Sequence, residues 1–214
     1  MVYQAWKEFK GGTVVATSKF SEKFFEFVPA GSIVLDLGCG DGRISKLLQD
    51  HGYKTYGMDV NVEAITFAQN SPELKGIEFS VQDAKSTNYN DGFYDGVIEQ
   101  AVLACMEKSD RSAVLKEVHR ILKPHGIFSV TEFGIRPDRE ERYKADALIT
   151  GENGTMIIKH ADGTEWFRSH NFNKDELDAL ILGAGFEIIS YESPIFKTLH
   201  GNPHPGHQYI LKRV

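Results

Sequence analysis

The chain has 214 residues but only two cysteines, Cys39 and Cys105, which sit in separate segments and fit no metal-ligand spacing. A reduced, cytoplasmic protein is therefore expected. Positive charge is in deficit: 24 Lys and Arg stand against 30 Asp and Glu, a net charge of −6. Phosphate backbones select basic surfaces, so a nucleic-acid partner is disfavoured. No apolar run approaches the ~20 residues that cross a bilayer. The opening residues, Met1 to Glu8, lack the apolar stretch of a signal peptide. Repeats, low-complexity tracts and linkers are missing too. With 41% hydrophobic and 25% charged residues, the chain reads as one globular domain over 1–214.

What is present is an alternation of strand and helix patterns. Tyr3, Trp6 and Phe9 recur at helical spacing, and Ser18 to Val28 predicts a capped amphipathic helix stopped by Pro29. Residues 1–29 thus form an N-terminal helical segment, in which Tyr3 or Trp6 is a candidate to close over a ligand. Ile33 to Leu37, Tyr53 to Val60, Gly76 to Asp83, Phe93 to Gln100 and Ile127 to Phe133 predict five strands, the third near a sheet edge. Helices are expected from Arg43, over Asn61 to Asn70 and over Ser109 to Leu122. Lys123-Pro124-His125-Gly126 closes the last of these. Such alternation specifies an α/β fold: a parallel sheet with helices on both faces. The rhythm breaks over 134–172, a polar insertion with a hairpin turning at Asp162-Gly163, which reads as an ordered cap or lid. A helix over Asn173 to Leu182 and strands at Phe186 to Tyr191 and Gln208 to Arg213 complete the chain.

The chemistry concentrates where the first strand ends, at Asp36-Leu37-Gly38-Cys39-Gly40-Asp41-Gly42. Ligands of open α/β sheets bind at the carboxyl ends of strands, and glycines there admit close approach. Three successive strands end in acids: Asp36, Asp59 and Asp83. Asp59 stands where dinucleotide folds place the acid that binds ribose hydroxyls. Yet the third glycine of the dinucleotide fingerprint is replaced by Arg43. Asp36 and Asp41 would repel a pyrophosphate. They suit a nucleoside carrying positive charge, such as S-adenosylmethionine (SAM), with its sulfonium and amino group.

Val34 to Gly42 resembles the first motif of class I SAM-dependent methyltransferases, of the small-molecule, type 11/25-like kind. Asp59, Gln82-Asp83-Ala84, Phe93 to Ile98 and Arg120 to Phe128 resemble four further motifs of that family, in order. His125 departs from the pattern, which often has glycine there. The resemblance covers about residues 30–133. It implies a Rossmann-like, seven-stranded, mainly parallel sheet whose last strand is antiparallel. It also implies SAM as methyl donor and S-adenosylhomocysteine (SAH) as product. Gly38 and Gly40, with Cys39 between them, would line the methionine part. Asp59 would hold the ribose and Val60 the adenine face. Asp83 and Ala84 would meet the adenine amino group, and Glu99 and Gln100 the methionine end. Asp36 would line the donor site or only brace its turn.

Methyl transfer needs alignment and a dry pocket, and a base only where the acceptor must lose a proton. Candidates for that role are Glu99, Glu132, Tyr143, His160 and His170, with His170, Glu99 and Tyr143 foremost. His200, His204 and His207 lie in a Pro- and Gly-rich stretch that reads as an irregular connection walling the substrate pocket, with no metal expected. The Asn/Asp-Pro-Pro-aromatic motif of amino-group methylases of nucleic acids is missing after the fourth strand. So is the Pro-Cys pair of cytosine methylases. A small-molecule acceptor is expected, with the protein a monomer or homodimer away from membranes. Two other readings stay open: a nucleotide-dependent oxidoreductase on the same architecture, and a SAM-binding partner without activity.

Overall fold

The computed structural model describes residues 21–197 and 203–214. The expectations for Tyr3, Trp6, Phe9 and His200 lie outside them. Among the described residues, α1 is a single turn, Phe24–Phe27, rather than the long capped helix expected, and the side chain of its N-cap residue Lys23 makes no capping bond. Its role is that of a plug. Phe24 is fully buried, and its ring fills the space where a Cβ on Gly96 would stand.

The alternating elements follow: β1 (Ile33–Leu37), α2 (Arg43–Asp50), β2 (Lys54–Asp59), α3 (Val62–Asn70), β3 (Glu78–Val81), β4 (Tyr94–Gln100), α4 (Lys108–Ile121) and β5 (Leu122–Phe133). Asn61 caps α3, its side chain accepting from Glu63 N and Ala64 N. Seven strands lie in the order β3-β2-β1-β4-β5-β10-β8, where β8 is Phe186–Glu192 and β10 is Pro203–Arg213. The first five are parallel, and β10 runs antiparallel to both β5 and β8. The chain leaves β1 in one direction to β2 and β3, then returns to the other side with β4. That switch point opens a crevice above the tips of β1 and β4.

Two apolar layers flank the sheet. Leu35, Leu37, Val97, Phe128 and Val130 pack with Val114, Leu115, Val118 and Ile121 of α4 on one face. Val34, Ile98, Ile127 and Ile210 pack with Phe24 and with Leu48 of α2 on the other. Each such side chain contributes roughly 1.5–3 kcal/mol by leaving water.

Three corrections arise from β5 onward. Residues 140–150 form a helix, α5 (Glu140–Thr150), in a polar insertion where the hairpin was the one element expected; Tyr143 is its one buried residue, so no apolar stripe marked it. The hairpin is as expected, β6 (Thr155–Lys159) with β7 (Glu165–His170), and Asn173 caps α6 (Lys174–Gly183). His204 and His207 do not lie in an irregular loop. They belong to β10, which begins at Pro203 and pairs at its start with the short β9 (Ile195–Lys197).

The third correction concerns Lys123 to Gly126. This stretch bulges within β5, because register runs from Tyr94↔Leu122 to Gly96↔Ile127. His125 holds φ +63 there, a left-handed backbone that costs a non-glycine residue of the order of 1–2 kcal/mol. The side chain is exposed. His125→Gly should therefore stabilise the fold by about 0.5–1 kcal/mol, read as a raised urea midpoint with an unchanged slope; an equal or lower midpoint would show that the bulge carries no strain.

Candidate functional site

The glycine turn joins β1 to α2, and its three glycines have different reasons to be glycine. All have positive φ: +74 at Gly38, +54 at Gly40 and +90 at Gly42. A Cβ on Gly38 would lie 2.4 Å from Val102 Cγ2, and one on Gly42 2.7 Å from Leu74 Cδ1. Those two positions are packed against protein. Above Gly40 none of the described residues comes within 4 Å of where a Cβ would stand, so it alone of the three faces open space among them.

Asp59, at the tip of β2, organises that space. Its Oδ2 accepts from Gly40 N and its Oδ1 from Asn61 N, both at 2.9 Å. One lone pair remains on each oxygen, an arrangement suited to the two hydroxyls of a ribose. Burial raises its pKa, and the backbone donors oppose that rise. Gly38 N and Cys39 N both donate to Met58 O, which ties the turn to β2. The residues present thus fit a nucleoside. Val60 stands half-buried beside Asp59. Asp83 Oδ1 accepts from Lys85 N, and Ala84 is buried behind it. Gln100 reaches across the crevice to Arg43, the first residue of α2.

Asp36 and Cys39 lie behind the turn. Asp36 is buried on the α2 face and accepts from Ser45 Oγ at 2.6 Å; burial pushes its carboxyl up to about 7. It ties strand to helix. Burial also pushes the Cys39 thiol well up, which leaves it protonated and unreactive.

Glu99 and Glu132 end β4 and β5 on the opposite face, and both are fully buried, at 0% and 1% exposure. Glu99 Oε2 accepts from Val102 N at 3.0 Å and Glu132 Oε1 from Ala104 N at 3.1 Å. Glu99 Oε1 and Glu132 Oε2 are sealed from water with no hydrogen-bond donor among the described residues. Two ionised carboxyls cannot share such a site cheaply. Burial holds Glu99 far above the usual carboxylate range and Glu132 at about 8.

The remaining sequence candidates are committed to neighbours. His170 is 1% exposed; its Nδ1 pairs with Thr155 Oγ1 at 2.8 Å and its Nε2 with the Glu176 carboxylate at 3.1 Å. Tyr143 is buried, and its hydroxyl accepts from Arg136 N. His160 lies at the hairpin turn, its ring against Trp166. Glu152, His170 and Glu176 bring metal-type donor atoms within 4.8 Å of one another. The positive charge there comes from the buried Arg111, which binds both oxygens of Glu152 and lies 3.6 Å from Glu176. Arg111 and Val102 were not singled out from sequence. An arginine in the first turn of an amphipathic helix and an ordinary valine after a strand carry no local sign of their roles.

Known proteins resemble this chain in sequence and fold. A family model described as a methyltransferase domain matches residues 35–130. A SAM-dependent methyltransferase from Methanosarcina mazei is 31% identical, with a TM-score of 0.86 over 92% of this chain and 99% of that one. A 2-methyl-6-phytyl-1,4-hydroquinone methyltransferase of Synechocystis is 33% identical over 53% of this chain and 36% of its own length. A fatty-acid O-methyltransferase of Mycolicibacterium smegmatis is 31% identical over 71% of this chain and 54% of its own. The chain thus spans about a third to a half of these curated relatives.

Asp59→Ala should weaken SAH binding by about tenfold to a hundredfold, the loss of charge-assisted hydrogen bonds. Isothermal titration beside a melting curve checks it, and an unchanged affinity in a folded variant would remove Asp59 from the site.

Proposed function

The chain belongs to the class I SAM-dependent methyltransferases, and on that premise we propose that it moves a methyl group from SAM to a small-molecule acceptor by in-line displacement. The observation that carries this reading is the Asp59 carboxylate, braced by two backbone donors beside the open space above Gly40. Bound SAM supplies an electrophilic methyl group on a sulfonium that leaves as a neutral thioether. Asp59 holds the ribose, Val60 and Ala84 flank the adenine, and Asp83 accepts from its amino group. Gly38, Cys39 and Gly40 form the backbone wall at the methionine end, closed on the β4 side by Gln100 and Arg43. Asp36 supports that wall from behind, and Glu99 supports it from below.

We take residues 134–172 as the cap of a single domain, with His170 and Tyr143 as part of its frame. The acceptor side lies beyond the tip of β5, where the ring of Phe133 meets those of Phe196 and His204. His204 is buried, and its Nδ1 lies 2.8 Å from the Pro205 carbonyl. That bond places the proton on Nδ1 and leaves the lone pair on Nε2, for which no polar partner is found among the described residues. Burial lowers its pKa, which keeps the ring neutral and able to accept a proton from a hydroxyl or amine acceptor. The hydroquinone and fatty acid in the relatives' names support an acceptor with an apolar body. No described helix is long and apolar enough to cross a membrane. We place the protein in the cytoplasm as a monomer or homodimer, without a nucleic-acid partner, in keeping with its net charge of −6.

Labelled SAM offered with a panel of phenols, fatty acids and amines tests the reading. Transfer to any of them is expected and would end the case for an inactive binding partner. Tight binding of NAD with none of SAH would instead favour the oxidoreductase. With a phenol or amine acceptor, His204→Asn should lower turnover by about a hundredfold and leave SAH affinity within about twofold, since His204 stands off the donor turn. Full turnover would return His204 to a packing role.

A further inference from the structure

Glu99 and Glu132 are sealed from solvent, so neither can meet an acceptor as the structure stands. Their position suggests a different use. After Gln100 the chain turns through Ala101, held at φ +58, with Ala101 N donating to Thr131 O. That left-handed alanine is strained, and surrounding contacts must enforce it. The turn sends the N–H groups of Val102 and Ala104 down onto the two carboxyls, one to each. From the other side Arg111 takes the carbonyls of Leu103 and Met106, each at 3.3 Å. The segment 102–106 is thus gripped at both ends of its peptide dipoles, anions on the N–H side and a cation on the carbonyl side. Val102, at its head, fills the space over Gly38, the packed glycine of the donor turn.

We propose that Glu99 and Glu132 act as one proton-sharing unit that positions residues 101–106, and through Val102 the Gly38–Gly40 turn, for binding of the methyl donor. This rests on the donor-site reading given above. With the proton in place, one carboxyl donates to the other and both keep their backbone donors. Without it, two adjacent buried charges repel, and the segment they hold must give way. Both are positioning residues.

The charged and titratable groups facing the pair are few. Arg111 faces it from α4, with Glu152 and His170 behind the guanidinium. His207 is the register neighbour of Glu132 on β10, its two nitrogens engaged by Tyr191 Oη and Phe172 O. Leu37 is the neighbour of Glu99 on β1. Asp36, bonded to Ser45, faces away from the pair, toward α2. The sign follows from the direction of the shift. An acid whose folded pKa lies above its unfolded value contributes stability that is present at low pH and lost as pH rises. For Glu132 this loss runs through about 8, and burial holds Glu99 well above its ordinary value too. The donor-binding form is the protonated one, so affinity must fall on the alkaline side.

The test is SAH affinity of the full chain by isothermal titration from pH 6 to 9.5, for wild type and for Glu132→Gln. Wild-type affinity should hold to neutral pH and then fall by about tenfold. In Glu132→Gln the amide still accepts from Ala104 N and donates to Glu99. Its affinity at pH 7 should stay within about threefold of wild type, and the alkaline fall should be lost. The comparison cancels the titration of SAH itself. A fall of equal size in both proteins, or none in wild type, overturns the proposal. Carboxyl carbon NMR of wild type needs no variant: one glutamate should keep its proton at pH 7, and glutamates all ionised by pH 6 would overturn it. Absence of SAH binding at every pH, with that proton seen, would fault the donor-site reading rather than the shared proton.

Discussion

The tip of the sheet depends on keeping two carboxyls out of water side by side. Glu99 and Glu132 occupy neighbouring strands on one face, in a layer otherwise made of Leu37, Val97, Phe128 and Val130. A buried pair of acids costs several kcal/mol unless a proton or a cation intervenes. Arg111, a cation that acts on Glu132, is spoken for by Glu152. Everything that follows β4 in space inherits this constraint. The strained Ala101, the short 3-10 turn Leu103–Cys105 and the placement of Val102 over Gly38 go together with two backbone N–H groups, of Val102 and Ala104, reaching those oxygens.

The acids around the donor site divide by what meets them. Asp59 is braced by backbone donors and keeps lone pairs for a ligand. Asp36 spends its hydrogen bond on Ser45 and its neighbours seal it. The first shapes a ligand site and the second fastens helix to strand, although both end strands of similar pattern. A carboxylate such as Asp59, fixed by backbone donors, meets a ligand without reorganising when it arrives.

Much of this was legible in the sequence because the signals are local. Apolar runs ending in Asp36, Asp59 and Asp83 marked the parallel strands, and the Gly38-Gly40-Gly42 spacing with Arg43 marked the turn. What stayed hidden depends on neighbours remote in the chain. Three alternate glycines look equivalent until Val102 is found over the first and Leu74 over the third. Helix α5 escaped because it rests on the hairpin through Arg142 and Asp146 rather than through an apolar stripe. His204 and His207 looked like loop residues because two prolines and two glycines surround them. Those breakers sit at the start of an edge pairing, where β9 covers only part of β10. The proximity of Glu99 to Glu132 needs the β4–β5 register, which no local pattern prints.

Arg111 has one more consequence. A single guanidinium holds the carbonyls of Leu103 and Met106 on one side and Glu152, from the 134–172 segment, on the other. Glu152 in turn adjoins His170 on the hairpin. The segment over the donor turn and the hairpin beyond it therefore cannot shift independently. Any free energy by which an acceptor held against the cap alters the hold on the donor must be returned in full by the donor to that acceptor. The two ligands would then report each other's presence through one buried arginine.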